Sequence, residues 1–325
     1  MREVLYYNID DTLDYENRLL KEWNVDGIHL TEVKDKIGKK TMAEYAKSAD
    51  GLVVEYEQVT REEMELLPDL KIISLQSIGY NNVDVNAATE AGICVTNAPG
   101  FCAEEVATHA VGMMIDLARK MTFFDRSVRR GKWNPLLGYP LHRMSGQTAG
   151  LVFFGAIPKK MVPLLHALGM RVLVYAPTKA KEYLAGFGCE KAETLDELLE
   201  ASDFVSLHTP LLSSTTHLIG TPELKEMKKT AFLINTARGP VVDEPALVEA
   251  LKSGEILGAG IDVIEDETNE KSELFHLENT VITPHAAFVS VDSFYGARKI
   301  ALSQLVQRLC REERPEFLVN KDVRF

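Results

Sequence analysis

The stretch from Thr148 to Pro177, T-A-G-L-V-F-F-G-A-I-P-K-K-M-V-P-L-L-H-A-L-G-M-R-V-L-V-Y-A-P, constrains the fold more than any other part of the chain. An apolar run, Leu151–Phe154, meets a glycine turn at Gly155, and a helical pattern then carries on to Gly169. A second run, Arg171–Tyr175, is rich in β-branched and aromatic residues, as strands are. Two parallel strands joined by a helix form a βαβ unit of roughly thirty residues. This is the size of the unit that opens a dinucleotide-binding domain, where a G-x-G-x-x-G turn lets a pyrophosphate rest on the helix N-terminus. Here Phe153, Gly155 and Pro158 stand at the three glycine positions. Ala176 stands where an acidic residue would hold the ribose. The scaffold of a nucleotide site is present, and much of its chemistry is replaced.

The same alternation runs through the rest of the chain. Val4–Tyr7, Gly27–Leu30, Gly51–Val54, Ile72–Leu75 and Ile93–Thr96 read as strands, with helical patterns at Met42–Ser48, Arg61–Leu67 and Val85–Ala91 between them. Asn97–Gly100 breaks the pattern, and a single long helix is expected from Ala103 to Arg129. Beyond the opening unit, further segments follow at Phe204–His208, Leu224–Met227, Ala231–Asn235, Glu244–Lys252, Gly258–Val263 and Val281–Pro284. A last helix, Ser293 to Arg311, should return to the first domain. Alternating elements of this kind make parallel sheets covered on both faces. The expected class is α/β, with two doubly wound parallel-sheet domains.

With 325 residues the chain has room for two domains of ordinary size. No apolar run reaches the roughly 18 residues of a membrane span, and the charged start of the chain does not read as a signal peptide. A net charge of -12 argues against nucleic acid and anionic membranes as partners. Cys94, Cys102, Cys189 and Cys310 lack metal-ligand spacing, so no metal and a reducing cytoplasm are expected.

Three dispersed polar residues fall just after predicted strands, where doubly wound folds place their sites. Arg238 lies in L-I-N-T-A-R-G-P-V-V-D-E-P-A-L, Glu267 follows G-A-G-I-D-V-I-E-D-E, and His285 lies in T-P-H-A-A-F. Taken singly, each has a bland alternative: a satisfied histidine, a solvated arginine, a surface glutamate. Together, and in that order, their contexts resemble the D-isomer-specific 2-hydroxyacid dehydrogenase family. The likeness extends upstream through S-I-G-Y-N-N-V-D, A-G-I-C-V-T-N-A-P-G and H-T-P-L, so it covers nearly the whole chain.

The resemblance implies a flavodoxin-like substrate domain, residues 1–98 and 288–325, and a Rossmann-type dinucleotide-binding domain, residues 99–287. Hinges are implied near Asn97–Phe101 and after His285. It also implies hydride exchange between a nicotinamide dinucleotide and a 2-oxo or D-2-hydroxy acid. His285 then matches the acid–base residue, Glu267 the carboxylate that orients it, and Arg238 the fork that grips the substrate carboxylate. Ser77, Ile78 and Gly79 match the loop that holds the other carboxylate oxygen. On the cofactor side Gly155, Ala156 and Ile157 match the pyrophosphate turn. His208, Thr209, Pro210, Thr236 and Ala237 match the lining strand ends, and Asp262 matches a contact to the nicotinamide amide. Ala176, Thr178 and Lys179 fall at the adenosine ribose, where the loss of a carboxylate and gain of a cation lean towards NADP over NAD. A homodimer formed through the cofactor domains is also implied.

The chain departs from the family at Phe153, at Pro158 and at Ala156, which is often basic. Pro163 is expected to kink the fingerprint helix or delay its start. Gln76 and Thr108 stand where arginine and glutamate are common, and the neutral loop Gln76–Asn81 resembles that of D-lactate and D-2-hydroxyisocaproate dehydrogenases. A small or apolar 2-oxo acid is therefore favoured over a phosphorylated one. The altered fingerprint leaves three readings: an active enzyme with a changed dinucleotide grip, a binding or regulatory protein on a dehydrogenase scaffold, or an enzyme with a different nucleotide-like cofactor.

Overall fold

The computed structural model describes residues 1–9, 11–35, 38–55, 57–138, 140–269 and 271–324. The chain divides into two compact units, Met1–Cys102 with Ser290–Phe325, and Ala103–Val289.

The first unit is built on strands β1 (Arg2–Tyr7), β2 (Ile28–Val33), β3 (Gly51–Val54), β4 (Ile72–Leu75) and β5 (Cys94–Thr96). They pair in parallel in the order β2-β1-β3-β4-β5, the flavodoxin-like order expected. Every residue of β3 and β4 is buried, which is why these strands read as continuous apolar runs rather than as alternation. Side chains still alternate between faces. Leu5, Leu52, Val54, Ile73 and Leu75 pack on one face, and Val4, Tyr6, Val53 and Ile72 on the other, against Leu302, Leu305 and Leu309. Those three leucines lie on the last helix, Val291–Leu309, which packs in this unit. A buried ion cluster anchors it. Arg298 donates to Glu16 at 2.7 Å and to Asp11 at 2.6 Å, and both Arg298 and Glu16 are buried. An ion pair removed from water at such cost needs all its donors matched, and a further donor meets Thr12 O.

The second unit carries β6 (Thr148–Val152), β7 (Arg171–Tyr175), β8 (Glu190–Ala192), β9 (Phe204–Leu207), β10 (Phe232–Asn235), β11 (Gly258–Ile261) and β12 (Thr280–Ile282). All pair in parallel in the order β12-β11-β10-β9-β6-β7-β8. The direction of winding reverses between β6 and β9, the point where such sheets open a crevice for ligands. Gly150 in β6 sits tightly under the helix Leu195–Ala201 and Ser202: an added Cβ would lie 2.2 Å from Ser202 Oγ.

One local expectation fails for an identifiable reason, and one alternative of another is excluded. The long helix is in fact two, Ala103–Arg119 and Met121–Arg129, because Lys120 adopts a left-handed φ of 52°. The Asp116 carboxylate accepts the backbone N–H of Thr122 at 2.8 Å and its hydroxyl as well, capping the second helix from the first. Pro163 does not delay the fingerprint helix, which runs from Ala156 to Ala167 with Pro163 inside it on the exposed side.

Candidate active site

The second unit gathers most of the sequence-derived residues along one rim, because parallel strands all end on the same side of their sheet. His285 follows β12, Asp262 follows β11, Thr236–Arg238 follow β10, His208 follows β9, the fingerprint turn follows β6 and Ala176 follows β7. Five strand intervals separate β12 from β7, roughly 24 Å at ~4.8 Å each. The rim is therefore polarised, with acid–base groups at one end and the nucleotide turn towards the other.

At the acid–base end, His285 Nδ1 lies 3.0 Å from Glu267 Oε2 and 2.9 Å from Oε1, with both side chains partly open to solvent. That bond fixes the ring and leaves Nε2 for a substrate. His285 holds a left-handed φ of 53°, an uncommon conformation outside glycine, and its N–H donates to Asp262 O at 2.7 Å. The same turn points the N–H groups of Ala286 and Ala287 at the Asp262 carboxylate, at 2.8 and 3.1 Å. Thr283 Oγ1 donates to it too, while His109 Nε2 lies 2.9 Å from Thr283 Oγ1. Asp262, almost wholly buried, thus holds the histidine turn in place. His109 and Thr283 escaped sequence reasoning: they stand 174 positions apart, and no spacing signals their contact.

Arg238 is set by its own strand end. Asn235 accepts from Ala237 N at 3.0 Å and donates to Arg238 O at 3.0 Å, and Arg238 Nη1 donates to Ala237 O at 2.6 Å. The next residue, Gly239, leaves no room for a side chain: an added Cβ would lie 1.7 Å from Ile264 O. The Arg238 turn is in this way pressed against the backbone of the loop that carries Glu267. A cavity of about 410 Å³ opens beside the pair, lined by Asp262, Glu267, Phe275, Ile282, Thr283 and His285. In the first unit, the Ser77–Gly79 loop is closed by Ser77 Oγ donating to Gly79 O and Asn97 Nδ2 donating to Ile78 O, both at 2.7 Å.

The nucleotide end can be tested for fit. No side chain caps the helix that starts at Ala156, and a Cβ added to Gly155 would meet nothing within 4 Å, so an anion has open access. The N–H groups of Ala156 and Ile157 lack intrahelical acceptors; Pro158 brings none. Phe153 takes a left-handed φ of 71°, the conformation for which glycine is the usual choice, at a strain of roughly 1–2 kcal/mol. Its ring packs partly buried against the core that includes Val152 and Leu173, and its N–H donates to Tyr175 O at 2.7 Å. Among the described residues, neither ring nitrogen of His208 nor Thr236 Oγ1 has a hydrogen-bond partner, although all three atoms are buried. Burial holds the His208 imidazole neutral, its pKa pushed down to about 3. Orphaned polar atoms along a nucleotide rim are what a bound dinucleotide would satisfy. Ala176 is buried, and the ammonium groups of Lys159 and Lys179 lie 5.7 and 5.5 Å from the Tyr183 ring centre. Thr209 and Ala237 are buried, and Pro210 and Thr178 are exposed.

A parallel-sheet unit with an open nucleotide turn and an oriented histidine at the far strand ends defines a nicotinamide-dependent dehydrogenase of the Rossmann class. The model of the D-isomer specific 2-hydroxyacid dehydrogenase NAD binding domain matches residues 111–287. The glyoxylate reductase of Thermococcus litoralis is 39% identical over 292 residues, 87% of each chain. Among solved structures, a glyoxylate reductase from Paecilomyes thermophila superposes with a TM-score of 0.84 at 27% identity, covering 98% of both chains. The NAD-complexed D-isomer specific 2-hydroxyacid dehydrogenase of Lactobacillus delbrueckii ssp. bulgaricus gives 0.82 at 27%, covering 98% of this chain and all of that one. The chain belongs to the D-isomer specific 2-hydroxyacid dehydrogenase family, oxidoreductases that use a nicotinamide dinucleotide on 2-oxo and 2-hydroxy acids.

Proposed function

We propose that the protein reduces a small 2-oxo acid, glyoxylate foremost, to the corresponding 2-hydroxy acid, with NADPH preferred over NADH. The observation that carries this reading is the His285–Glu267 pair, set at the strand ends on the same rim as an open nucleotide turn. A bound nicotinamide would supply the hydride. His285 Nε2 donates a proton to the carbonyl oxygen and takes it back in the reverse direction, a role general acids fill with roughly 10²–10⁴-fold effect. Glu267 holds Nδ1 and so orients the ring. Arg238 grips the substrate carboxylate. The named activity of relatives such as the Thermococcus litoralis enzyme favours glyoxylate, and the neutral loop Gln76–Asn81 offers a phosphorylated acid no counter-charge.

The cofactor preference rests on the Ala176 end. No carboxylate there repels a 2′-phosphate, and Thr178 and Lys179 follow on the same turn. Lys159 and Lys179 both lie over Tyr183, and among the described residues neither makes a salt bridge. Gly155, Ala156 and Ile157 hold the pyrophosphate, and His208, Thr209, Pro210, Thr236 and Ala237 line the path to the nicotinamide. A homodimer in the cytoplasm completes the reading: Met121, Trp133 and Leu136 beside the second helix are exposed apolar groups that a partner subunit would cover. The strained Phe153 favours one other reading, a scaffold that binds ligand with little turnover.

Fluorescence titration with NADPH and NADH, followed by assays with glyoxylate, pyruvate and longer 2-oxo acids, separates the two. We expect binding of NADPH below millimolar concentration, turnover of glyoxylate, and loss of roughly 10²-fold or more in kcat for His285→Gln. Absence of dinucleotide binding at millimolar concentration, or full activity of His285→Gln, would overturn the proposal.

A further inference from the structure

Glu267 is the last member of the acid–base pair, yet it stands on an exposed loop whose own hydrogen bonds are local, such as Thr268 to Asp266. Something must hold that loop at hydrogen-bond distance from His285. The residue that does so lies on another element. Glu244 is the first residue of the helix Glu244–Ser253, which follows the Arg238 turn. Its Oε2 accepts the backbone N–H of Glu265 at 3.0 Å, and its Oε1 accepts the hydroxyl of Ser272, which is buried. One carboxylate therefore closes both ends of the segment 265–272, with Glu267 between them. The contact is reciprocal: Glu265 Oε2 accepts the N–H of Glu244 at 3.4 Å, and Glu265 Oε1 lies 2.8 Å from His217 Nε2. His217 is itself tied to the Arg238 side, since its N–H donates to Pro240 O at 2.8 Å. Gly239 adds the close backbone approach to Ile264.

We infer that Glu244 is a positioning residue for catalysis: its carboxylate staples the Glu267 loop to the Arg238 turn and so sets the register of the groups that bind and protonate the substrate. The inference rests on the roles given above to Glu267 and Arg238. A carboxylate suits the position for two reasons. It sits at a helix N-terminus, where negative charge is favoured, and it offers two acceptor oxygens, whereas an amide offers one. The Glu267 loop would drift by an ångström or so without it, and displacements of that size cost roughly a hundred-fold in rate when they separate reacting groups.

A double-mutant cycle tests this on the full-length enzyme. Glu244→Gln should lower kcat roughly ten-fold or more with little change in thermal midpoint, and amide exchange at Glu265 should accelerate. Glu267→Gln should lower kcat as well. If Glu244 acts through Glu267, adding Glu244→Gln to Glu267→Gln should cost almost nothing further, whereas a residue with a separate structural role gives multiplied losses. Glu244→Asp, which keeps both oxygens, should recover part of the rate. Full activity of Glu244→Gln with a deprotected Glu265 amide would overturn the inference alone, as would strict additivity in the cycle. Full activity of Glu267→Gln would overturn the catalytic reading and this inference with it.

Discussion

His208 on the nucleotide rim, whose ring nitrogens are both buried, makes the folded protein acid-sensitive in a calculable way. His208 has its imidazole held neutral by burial, with a pKa of about 3 against 6.5 when unfolded. Between those values the unfolded chain binds the proton and the folded chain does not, so stability is intact above about pH 6.5 and falls as the pH drops towards 3. Each unit of that window removes about 1.4 kcal/mol. At pH 5 the loss attributable to His208 is ~2 kcal/mol, a large share of the ~5–15 kcal/mol by which domains are usually stable. His208→Gln removes the titration while keeping a neutral polar side chain of similar reach. Urea unfolding of both proteins at pH 7.5 and pH 5.0, followed by circular dichroism, isolates the effect, because every other titrating group is common to both. The wild type should lose ~2 kcal/mol more than the variant across that interval. Equal losses would show that His208 is not a buried neutral imidazole, and would undo the account of its orphaned nitrogens as well.

Two further expectations concern the rim. Gly239→Ala places a Cβ 1.7 Å from Ile264 O, so the Arg238 and Glu267 loops must part, and kcat/KM should fall about a hundred-fold; a value within three-fold of wild type would refute the tight approach. Phe153→Gly with Ala176→Asp relieves the left-handed strain and restores a ribose-binding carboxylate, which should tighten NADH and weaken NADPH by about ten-fold each in fluorescence titrations. Unchanged affinities for both would mean that the rim does not hold the adenosine ribose at Ala176.

Much of this was open to reading because parallel sheets leave a strong local signature. Fully buried strands such as β3 and β4 give short apolar runs, and the helices between them cover both faces. Strand-end polar residues are equally visible, since a sharp change from apolar run to Arg238 or His285 marks where the sheet stops. Phe153 stands at the first glycine position of the fingerprint, and its φ of 71° is a conformation that glycine adopts freely. The break at Lys120 was not legible. The helical pattern passes through it without interruption, and only the reach of Asp116 to Thr122, six residues on, selects the second start.

The sequence alone determined the two parallel-sheet units, the family and the order in which the polar groups follow their strands, because these depend on period, turn residues and local motif. It did not determine what holds those groups at working distance. The chain from His109 through Thr283 to Asp262, the contact of Gly239 with Ile264 and the double grip of Glu244 on Glu265 and Ser272 all join segments remote in sequence. Such contacts exist only once strand register has fixed which loops lie side by side, and register is settled by packing across the whole sheet. The chemistry of the site was therefore written in residues, and its geometry was decided by the fold.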